Sequence, residues 1–224
     1  MVNVNLLILN CNKPHHTQFR TKVNLPSAIA ICYSNNTILS ITVTKFLGVI
    51  IGSSLTWKEH VFLLVPELSE ACYLMRVIDP IMSVEFLKSV YNSCFHSHVT
   101  YRVILRGDSS YSLQIVTLQK RIIRIMSGLR SRDCCRNGFK NLKILPLQSQ
   151  FIFYLLFVVN NTELYNTVAQ IRDINTRCTF VIYQPHSNLT SYQKGAYYFG
   201  IRLFNVLPLY IKMLAHNAEQ FRLA

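Results

Sequence analysis

Three cations on one stretch of this 224-residue chain have the types and spacing to do chemistry: Lys120, Arg121 and Arg124. At about 100° per residue they share one side of a predicted helix, and apolar residues occupy the other. Guanidinium and ammonium groups bind phosphate and carboxylate oxygens by charge-assisted hydrogen bonds. The pattern therefore predicts a helix held by burial whose cations are left for an anionic partner. The apolar stripe consists of Ile115, Leu118, Ile122, Ile125, Met126 and Leu129.

The surrounding segment strengthens this interpretation. Residues 101–143 contain ten lysines and arginines against two aspartates, a net charge of +8 out of +13 for the chain. Clustered positive charge with few acidic neighbours is typical of a surface that meets nucleic-acid phosphates, although a solvated charged face remains the alternative. The candidate nucleic-acid-binding residues are Lys120, Arg121 and Arg124, followed in the next loop by Arg130, Arg132 and Arg136.

Other reactive side chains give weaker patterns. Cys94 and His98 are four apart and could share a helix face, but His96 between them would point elsewhere, so packed polar residues are the preferred interpretation. The adjacent Cys134 and Cys135 are interpreted as loop thiols, because neighbouring cysteines bridge only with strain. No Gly-x-Ser-x-Gly elbow is present, and the aspartates occur singly. We predict no catalytic residue and no metal ligand in this chain.

Composition limits the class of protein. Half of the residues are hydrophobic and 15% are charged, and the longest apolar run, residues 151–159, is too short to span a bilayer. Seven cysteines without a Cys-x-x-Cys spacing fit a reducing compartment. We expect no membrane partner and an intracellular location, in the nucleus or the cytoplasm.

The patterning changes along the chain. Short β-like runs alternate with Asn, Pro and Ser clusters up to about Gly52, and helical periodicity begins at Trp57. The predicted fold class is α+β, mainly α, with a small antiparallel sheet before a helical region. The predicted strands are 6–9, 17–19, 28–33 and 43–51, and the predicted helices are 57–78, 84–105, 110–128, 134–142, 147–160 and 190–206.

An ordered series of short motifs runs along nearly the whole chain. The central ones are Leu118-Gln119-Lys120-Arg121, Arg132-Asp133-x-Cys135-Arg136 and Leu142-Lys143-Ile144-Leu145-Pro146-Leu147. Before them stand Lys45-Phe46-Leu47-Gly48-Val49, Leu55-Thr56-Trp57-Lys58-Glu59-His60, Ala71-Cys72-Tyr73 and Phe95-His96-Ser97-His98; after them stand Ile174-Asn175-Thr176-Arg177, Tyr192-Gln193-Lys194-Gly195-Ala196-Tyr197-Tyr198 and Phe204-Asn205-x-Leu207-Pro208. Together they resemble the C-terminal part of reverse transcriptases from jockey-like non-LTR retrotransposons.

The resemblance implies a domain organisation and a partner. It makes residues 1–54 the end of the palm, 55–145 a helical thumb-like region and 146–224 a C-terminal helical region. Lys45, Phe46, Leu47 and Gly48 match the primer grip. A thumb of this family contacts the backbone of an RNA–DNA template–primer without reading sequence, and the apolar composition suggests a further partner in a missing palm and fingers portion.

The resemblance also implies what this chain lacks. The complete family enzyme uses Mg²⁺ held by palm carboxylates around a Tyr-x-Asp-Asp turn, and this sequence has no such turn. We therefore expect a non-catalytic fragment without a cofactor of its own. Two alternatives stay open: the primer-handling half of an active enzyme whose upstream coding sequence is missing, and a helical interaction module that binds an acidic protein.

Some residues depart from the family pattern. Pro14 follows Lys13 where the family has threonine, Pro66 falls inside the first predicted thumb helix, and Asn137-Gly138 weakens a short helix by about 1 kcal/mol. These departures suggest accumulated damage in an inactive copy.

Overall fold

The chain has an α+β fold that is mainly α, as the sequence predicts. A computed structural model describes residues 14–20, 29–33, 36–101, 103, 111–161, 165–172, 181–214 and 220–221. Contacts divide the chain into two compact units, Met1–Pro66 and Glu67–Ala224. Some sequence features lie wholly or partly outside the described residues: the predicted strand at 6–9, the Lys13-Pro14 pair, the motif at 174–177, and Arg102 and Arg106 of the cationic segment 101–143.

The first unit contains the strands. β1 (His15–His16), β2 (Ile31–Tyr33) and β3 (Asn36–Ser40) form a sheet in the order β1-β3-β2. β2 pairs with β3 in the antiparallel direction, whereas His15 and His16 pair in parallel with Leu39 and Ser40. The long connection between β1 and β3 allows this parallel pair, which a tight hairpin would not. The sheet is therefore mixed rather than wholly antiparallel.

A two-residue hairpin joins β4 (Val43–Phe46) to β5 (Val49–Gly52), with Phe46 opposite Val49. The turn residues Leu47 and Gly48 both have positive φ, at 47° and 78°. Two central residues with positive φ are the mark of a type I′ turn, whose twist matches that of the flanking strands. The single predicted strand over 43–51 is thus two strands.

Helices make up most of the rest. α1 (Lys58–Ile78) crosses the division between the two units and contains Pro66. The following bounds belong to the second unit: α2 (Val84–Val90), α3 (Ser97–Thr100), α4 (Ser112–Met126), α5 (Arg136–Leu142), α6 (Leu147–Asn161), α7 (Val168–Arg172), α8 (Thr190–Gln193), α9 (Ala196–Val206) and α10 (Leu209–Met213).

A π-helical turn (Tyr91–His96) connects α2 to α3 without a break. Leu87, Tyr91, Phe95 and Val99 along this continuous helix are each no more than 1% exposed. Tyr91 and Phe95 stack with ring centroids 5.5 Å apart. This helix therefore supplies one wall of the core of the second unit.

α6 and α9 pack closely because a glycine lies at their crossing. A Cβ atom on Gly200 would stand 2.7 Å from Cγ2 of Val159, closer than any real contact. Phe151 and Phe199 stack beside this crossing, with ring centroids 5.9 Å apart. Phe151, Leu155 and Val159 of the apolar run at 151–159 are buried by this packing, whereas Ile152 is 42% exposed. Among the described residues no single helix is long and apolar enough to cross a membrane; α5 and α6 reach that length only together, with a 54° bend between them.

Candidate nucleic-acid interface

α4 has a buried and an exposed face, as its sequence predicts, but Gln119 and Ile123 join the buried face, and Ile125 and Leu129 of the predicted stripe are only partly buried. Ile115, Leu118, Ile122 and Met126 are at most 7% exposed, whereas Lys120 is exposed to solvent. The helix ends in a Schellman motif, in which Gly128 at φ +61° donates to the carbonyl of Ile125. The next N–H, that of Leu129, reaches back to the carbonyl of Arg124 at 2.9 Å. Burial and this cap together fix the direction of the cationic side chains.

α5 lies against α4 through Gly138. A Cβ atom at this position would stand 2.9 Å from both Cγ2 of Ile123 and Oγ of Ser127. The glycine is therefore required by the close approach of the two helices. Helix propensity alone does not show this packing role of Gly138, and the interpretation of Asn137-Gly138 as damage stays a prediction.

A groove of about 940 Å³ forms between α4, α5 and the segment that joins α5 to α6. We call it the basic groove, because six cations line it. The only acidic side chain among the described residues that line it is Asp133. No described acidic group pairs with the cations across a salt bridge. The six cations are Lys120, Arg124, Arg132, Arg136, Lys140 and Lys143.

The loop between α4 and α5 is held by Asp133. Its carboxylate Oδ2 accepts a hydrogen bond from the N–H of Arg130 at 2.9 Å, and its own N–H donates to the Arg130 carbonyl at 3.1 Å. The carbonyl of Asp133 accepts from Nε of Arg124 at 3.1 Å. The carboxylate thus holds the loop together, and the backbone contact sets the position of the Arg124 guanidinium.

Four of the six predicted candidates line the basic groove, and two lie elsewhere. Arg121 and Arg130 are exposed but are not among the lining residues. Burial raises the pKa of the Cys72 thiol to about 11, and the nearby charge of Arg121 acts against that rise. The charge of Arg121 therefore lies near Cys72 of α1, and its side chain does not line the groove. Whether any of these residues binds nucleic acid stays a prediction.

Lys140 and Lys143 line the groove but were not chosen as candidates from the sequence. Their signal was present, because positions 136, 140 and 143 recur at helical spacing and so share one side of α5. Lys143 itself has left-handed backbone angles, φ 57° and ψ 38°. It occupies the position after the helix where glycine is usual, with the Ile144 N–H donating to the Phe139 carbonyl at 3.0 Å. A groove cation is thus held at a strained position.

Gln119 links α4 by hydrogen bonds to Tyr91 and to the segment that joins α5 to α6. Its side-chain amide donates to the Tyr91 hydroxyl at 3.0 Å and to the Leu145 carbonyl at 3.1 Å, and its Oε1 accepts from the Leu147 N–H at 2.9 Å. The residue is 1% exposed, so these bonds satisfy a buried polar group. Burial raises the pKa of Tyr91 to about 12, which keeps its hydroxyl neutral. Gln119 therefore fixes the 143–147 segment beside α4.

The primer-grip-like residues lie in the first unit. Lys45 and Phe46 end β4, and Leu47 and Gly48 form the type I′ turn. Phe46 is 60% and Leu47 is 65% exposed. The hairpin thus presents apolar side chains at its tip, and its role as a primer grip stays a prediction.

The remaining reactive side chains have ordinary partners. His96 Nδ1 lies 3.0 Å from Nε2 of Gln150, and His98 Nδ1 lies 3.6 Å from Glu67 Oε2. Burial lowers the pKa of His96. The Cys135 thiol is buried and donates to the Lys120 carbonyl at 3.7 Å, while the Cys134 thiol is exposed in the groove. Within the described ranges no group of three or more His, Cys, Asp or Glu could hold a metal ion.

Comparison with models of known protein families, with curated proteins and with solved structures finds no match for this chain.

Proposed function

We propose that this chain binds the backbone of nucleic acid through the basic groove, as a non-catalytic, thumb-like part of a non-LTR retrotransposon reverse transcriptase. The observation that carries the proposal is the convergence of six cations on one groove with Asp133 as the single acidic lining residue in the described part of the chain. Such a surface attracts polyanions and releases their counterions on binding. The motif series from Lys45 to Pro208 supports the family, and a template–primer in the nucleus or cytoplasm would be the natural ligand.

The test compares two neighbouring residues of α4. Lys120 lines the groove and Arg121 does not, so Lys120→Gln and Arg121→Gln remove the same charge from different surfaces. Binding to a labelled RNA–DNA hybrid is followed by fluorescence anisotropy across a salt series. We expect Lys120→Gln to weaken binding and flatten the salt slope by roughly one unit, with little change for Arg121→Gln. Equal effects of the two variants would show that overall charge, and not the groove, drives binding.

The exposed thiol of Cys134 gives a second readout that needs no variant. It lines the groove, whereas the exposed Cys32 belongs to β2 in the other unit. A bound hybrid should slow alkylation of Cys134, measured by peptide mass spectrometry, and leave Cys32 unchanged as the internal control. Equal labelling with and without the hybrid would contradict the proposal.

An interaction module that binds an acidic protein is the competing function. The same groove could attract carboxylates, but the carboxylates of an acidic protein lack the regular spacing of the phosphates along a nucleic-acid backbone. The test is competition for the labelled hybrid between an acidic peptide and unlabelled hybrid, compared at equal concentrations of negative charge. Displacement by the peptide at a much lower charge concentration would favour the interaction module.

A further inference from the structure

The basic groove has an apolar lining beside its cations. Leu145 is 49% exposed, and Ile144 and Pro146 are partly exposed, so part of this lining is open to water. Removing such surface from water is favourable by roughly 25 cal/mol per Å². A ligand that offers only charge would leave this surface uncovered. The apolar lining consists of Val116, Phe139, Ile144, Leu145, Pro146 and Leu147.

The cations come from both elements that form the groove. Lys120 and Arg124 stand one turn apart on α4, and Arg136, Lys140 and Lys143 belong to α5 and its cap. A ligand in the groove thus meets positive charge from more than one direction along the apolar surface. The complementary ligand carries repeated negative charges and, between them, flat apolar groups.

Duplex and single-stranded nucleic acid differ in what they can offer this groove. A duplex presents phosphates on a convex outer surface and keeps its bases paired and stacked inside. A single strand has bases whose faces are free to cover apolar side chains while its phosphates reach cations. The groove volume of about 940 Å³ is that of a concave ligand pocket rather than of a broad duplex-binding surface.

We propose that the basic groove binds single-stranded nucleic acid in preference to duplex, with bases against its apolar lining and phosphates at its cations. This inference rests on the proposed function and adds the form of the ligand. The apolar contact is insensitive to salt, whereas the cation contacts weaken as salt rises. The preference for the single strand therefore increases with ionic strength.

The experiment compares a labelled single-stranded RNA of about 12 nucleotides with the RNA–DNA hybrid of the same sequence. Anisotropy titrations of the full chain run from about 50 mM to about 300 mM salt. We expect the single strand to bind more tightly at the higher salt and its advantage over the hybrid to grow across the series. Because the hybrid carries the higher charge density, charge alone would give the opposite order.

A pair of leucine variants isolates the apolar contact. Leu145→Ser removes lining side chain but keeps the backbone carbonyl that accepts from Gln119, and Leu113→Ser changes an exposed leucine of α4 that does not line the groove. We expect Leu145→Ser to weaken single-strand binding about fivefold and to leave hybrid binding unchanged, with no effect of Leu113→Ser. If Leu145→Ser lowers Tm, Leu145→Ala makes the same test with a smaller change.

The outcomes separate the inference from the proposed function. Tighter binding of the hybrid at every salt concentration, or equal losses for both ligands in Leu145→Ser, overturns the single-strand preference and leaves groove binding standing. Failure of both RNA forms to bind, or binding that Arg136→Gln leaves unchanged, overturns the proposed function and this inference with it. Displacement of the single strand by an acidic peptide at equal charge concentration overturns the inference in favour of a protein ligand.

Discussion

Lys143 lines the basic groove in a backbone conformation that disfavours any residue with a side chain. Its backbone lies in the left-handed region at the end of α5, where a side chain costs about 1 kcal/mol relative to glycine, and its ammonium group lines the basic groove. Strained residues persist at sites where the surrounding structure determines them, and such sites are often functional. This residue therefore gives a way to separate stability from binding.

We predict that Lys143→Gly raises the free energy of unfolding by about 0.5–1 kcal/mol and weakens nucleic-acid binding. The matched control is Lys140→Gly, which removes another groove cation from within α5 and lowers stability by about 1 kcal/mol. Urea unfolding and anisotropy titrations measure the two quantities. Loss of binding in both variants with opposite changes in stability would link binding to the cations. Intact binding in Lys143→Gly would remove Lys143 from the site.

His96 makes stability depend on pH. Burial lowers its pKa, so just below pH 6.5 the unfolded chain binds a proton that the folded chain does not. Stability therefore falls as pH decreases through this range, and it is unaffected at pH values where the imidazole is neutral in both states. We predict that His96→Gln reduces this fall, measured as the difference in urea-unfolding free energy between parent and variant at pH 8 and at about pH 5.5. The same difference at both pH values would contradict the prediction.

The groove could be predicted only in part from the sequence. Helical spacing shows which residues share one side of a helix, but it does not show which other element packs against that side. Lys120 and Arg124 were predicted together and lie together in the groove, yet Arg121, next to Lys120 in sequence, does not line it. Lys140 and Lys143 join them through the packing of α5 on α4, which depends on a non-local contact at Gly138. Sequence spacing alone contains no such information.

At the scale of elements, apolar periodicity located the long helices well, and turn chemistry was the weak point. α1, α4, α5 and α6 agree with their predicted ranges to within two residues at each end. The hairpin within residues 43–51 was not predicted, because Leu47 occupies the first turn position, where asparagine or glycine is the usual signal. Gly195 marks the break between α8 and α9, which were predicted as one helix.

The contact between α4 and α5 predicts whether Gly138→Ala raises or lowers the stability of the protein. Helix propensity alone says that Gly138→Ala stabilises the protein by about 1 kcal/mol, whereas overpacking against Ile123 and Ser127 destabilises it by about 1–3 kcal/mol. We expect the destabilisation to prevail in thermal and urea unfolding, and Asn137→Ala, an exposed neighbour in the same helix, to be close to neutral. Adding Ser127→Ala, which removes one clashing atom, should restore part of the loss. A more stable Gly138→Ala protein would contradict the close packing.

At the scale of the whole molecule, the division of charge and apolar surface is uneven. Six of the 23 lysines and arginines line the basic groove, and large apolar side chains remain exposed along the end of α1 and the start of α2. Tyr73 and Ile81 are 71% and 76% exposed. Exposed apolar surface of this kind favours association with other proteins or with further copies of the chain.

We predict that the double variant Tyr73→Gln and Ile81→Asn lowers self-association without lowering Tm, because neither side chain contributes much to the core. Static light scattering over a concentration series measures the association. Ile81→Val, which keeps an apolar side chain, serves as the control and should behave like the parent protein. A large drop in Tm for the double variant would show instead that these side chains stabilise the fold.

The π-helical turn at Tyr91–His96 keeps the buried residues of its helix on the side that faces the core. The buried residues of this helix, Leu87, Tyr91, Phe95 and Val99, recur every four positions, and a regular α-helix would rotate such a stripe by about 40° at each step. The wider i→i+5 turn absorbs much of that rotation and keeps the stripe directed at one core. The turn is thus equivalent to one inserted residue that the helix accommodates locally. Without the exposed Asn92, Leu87, Tyr91, Phe95 and Val99 would stand at i, i+4, i+7 and i+11 of a regular α-helix, a spacing that still keeps them on one side. The stripe that packs on the core of the second unit is thus the same with or without the inserted residue.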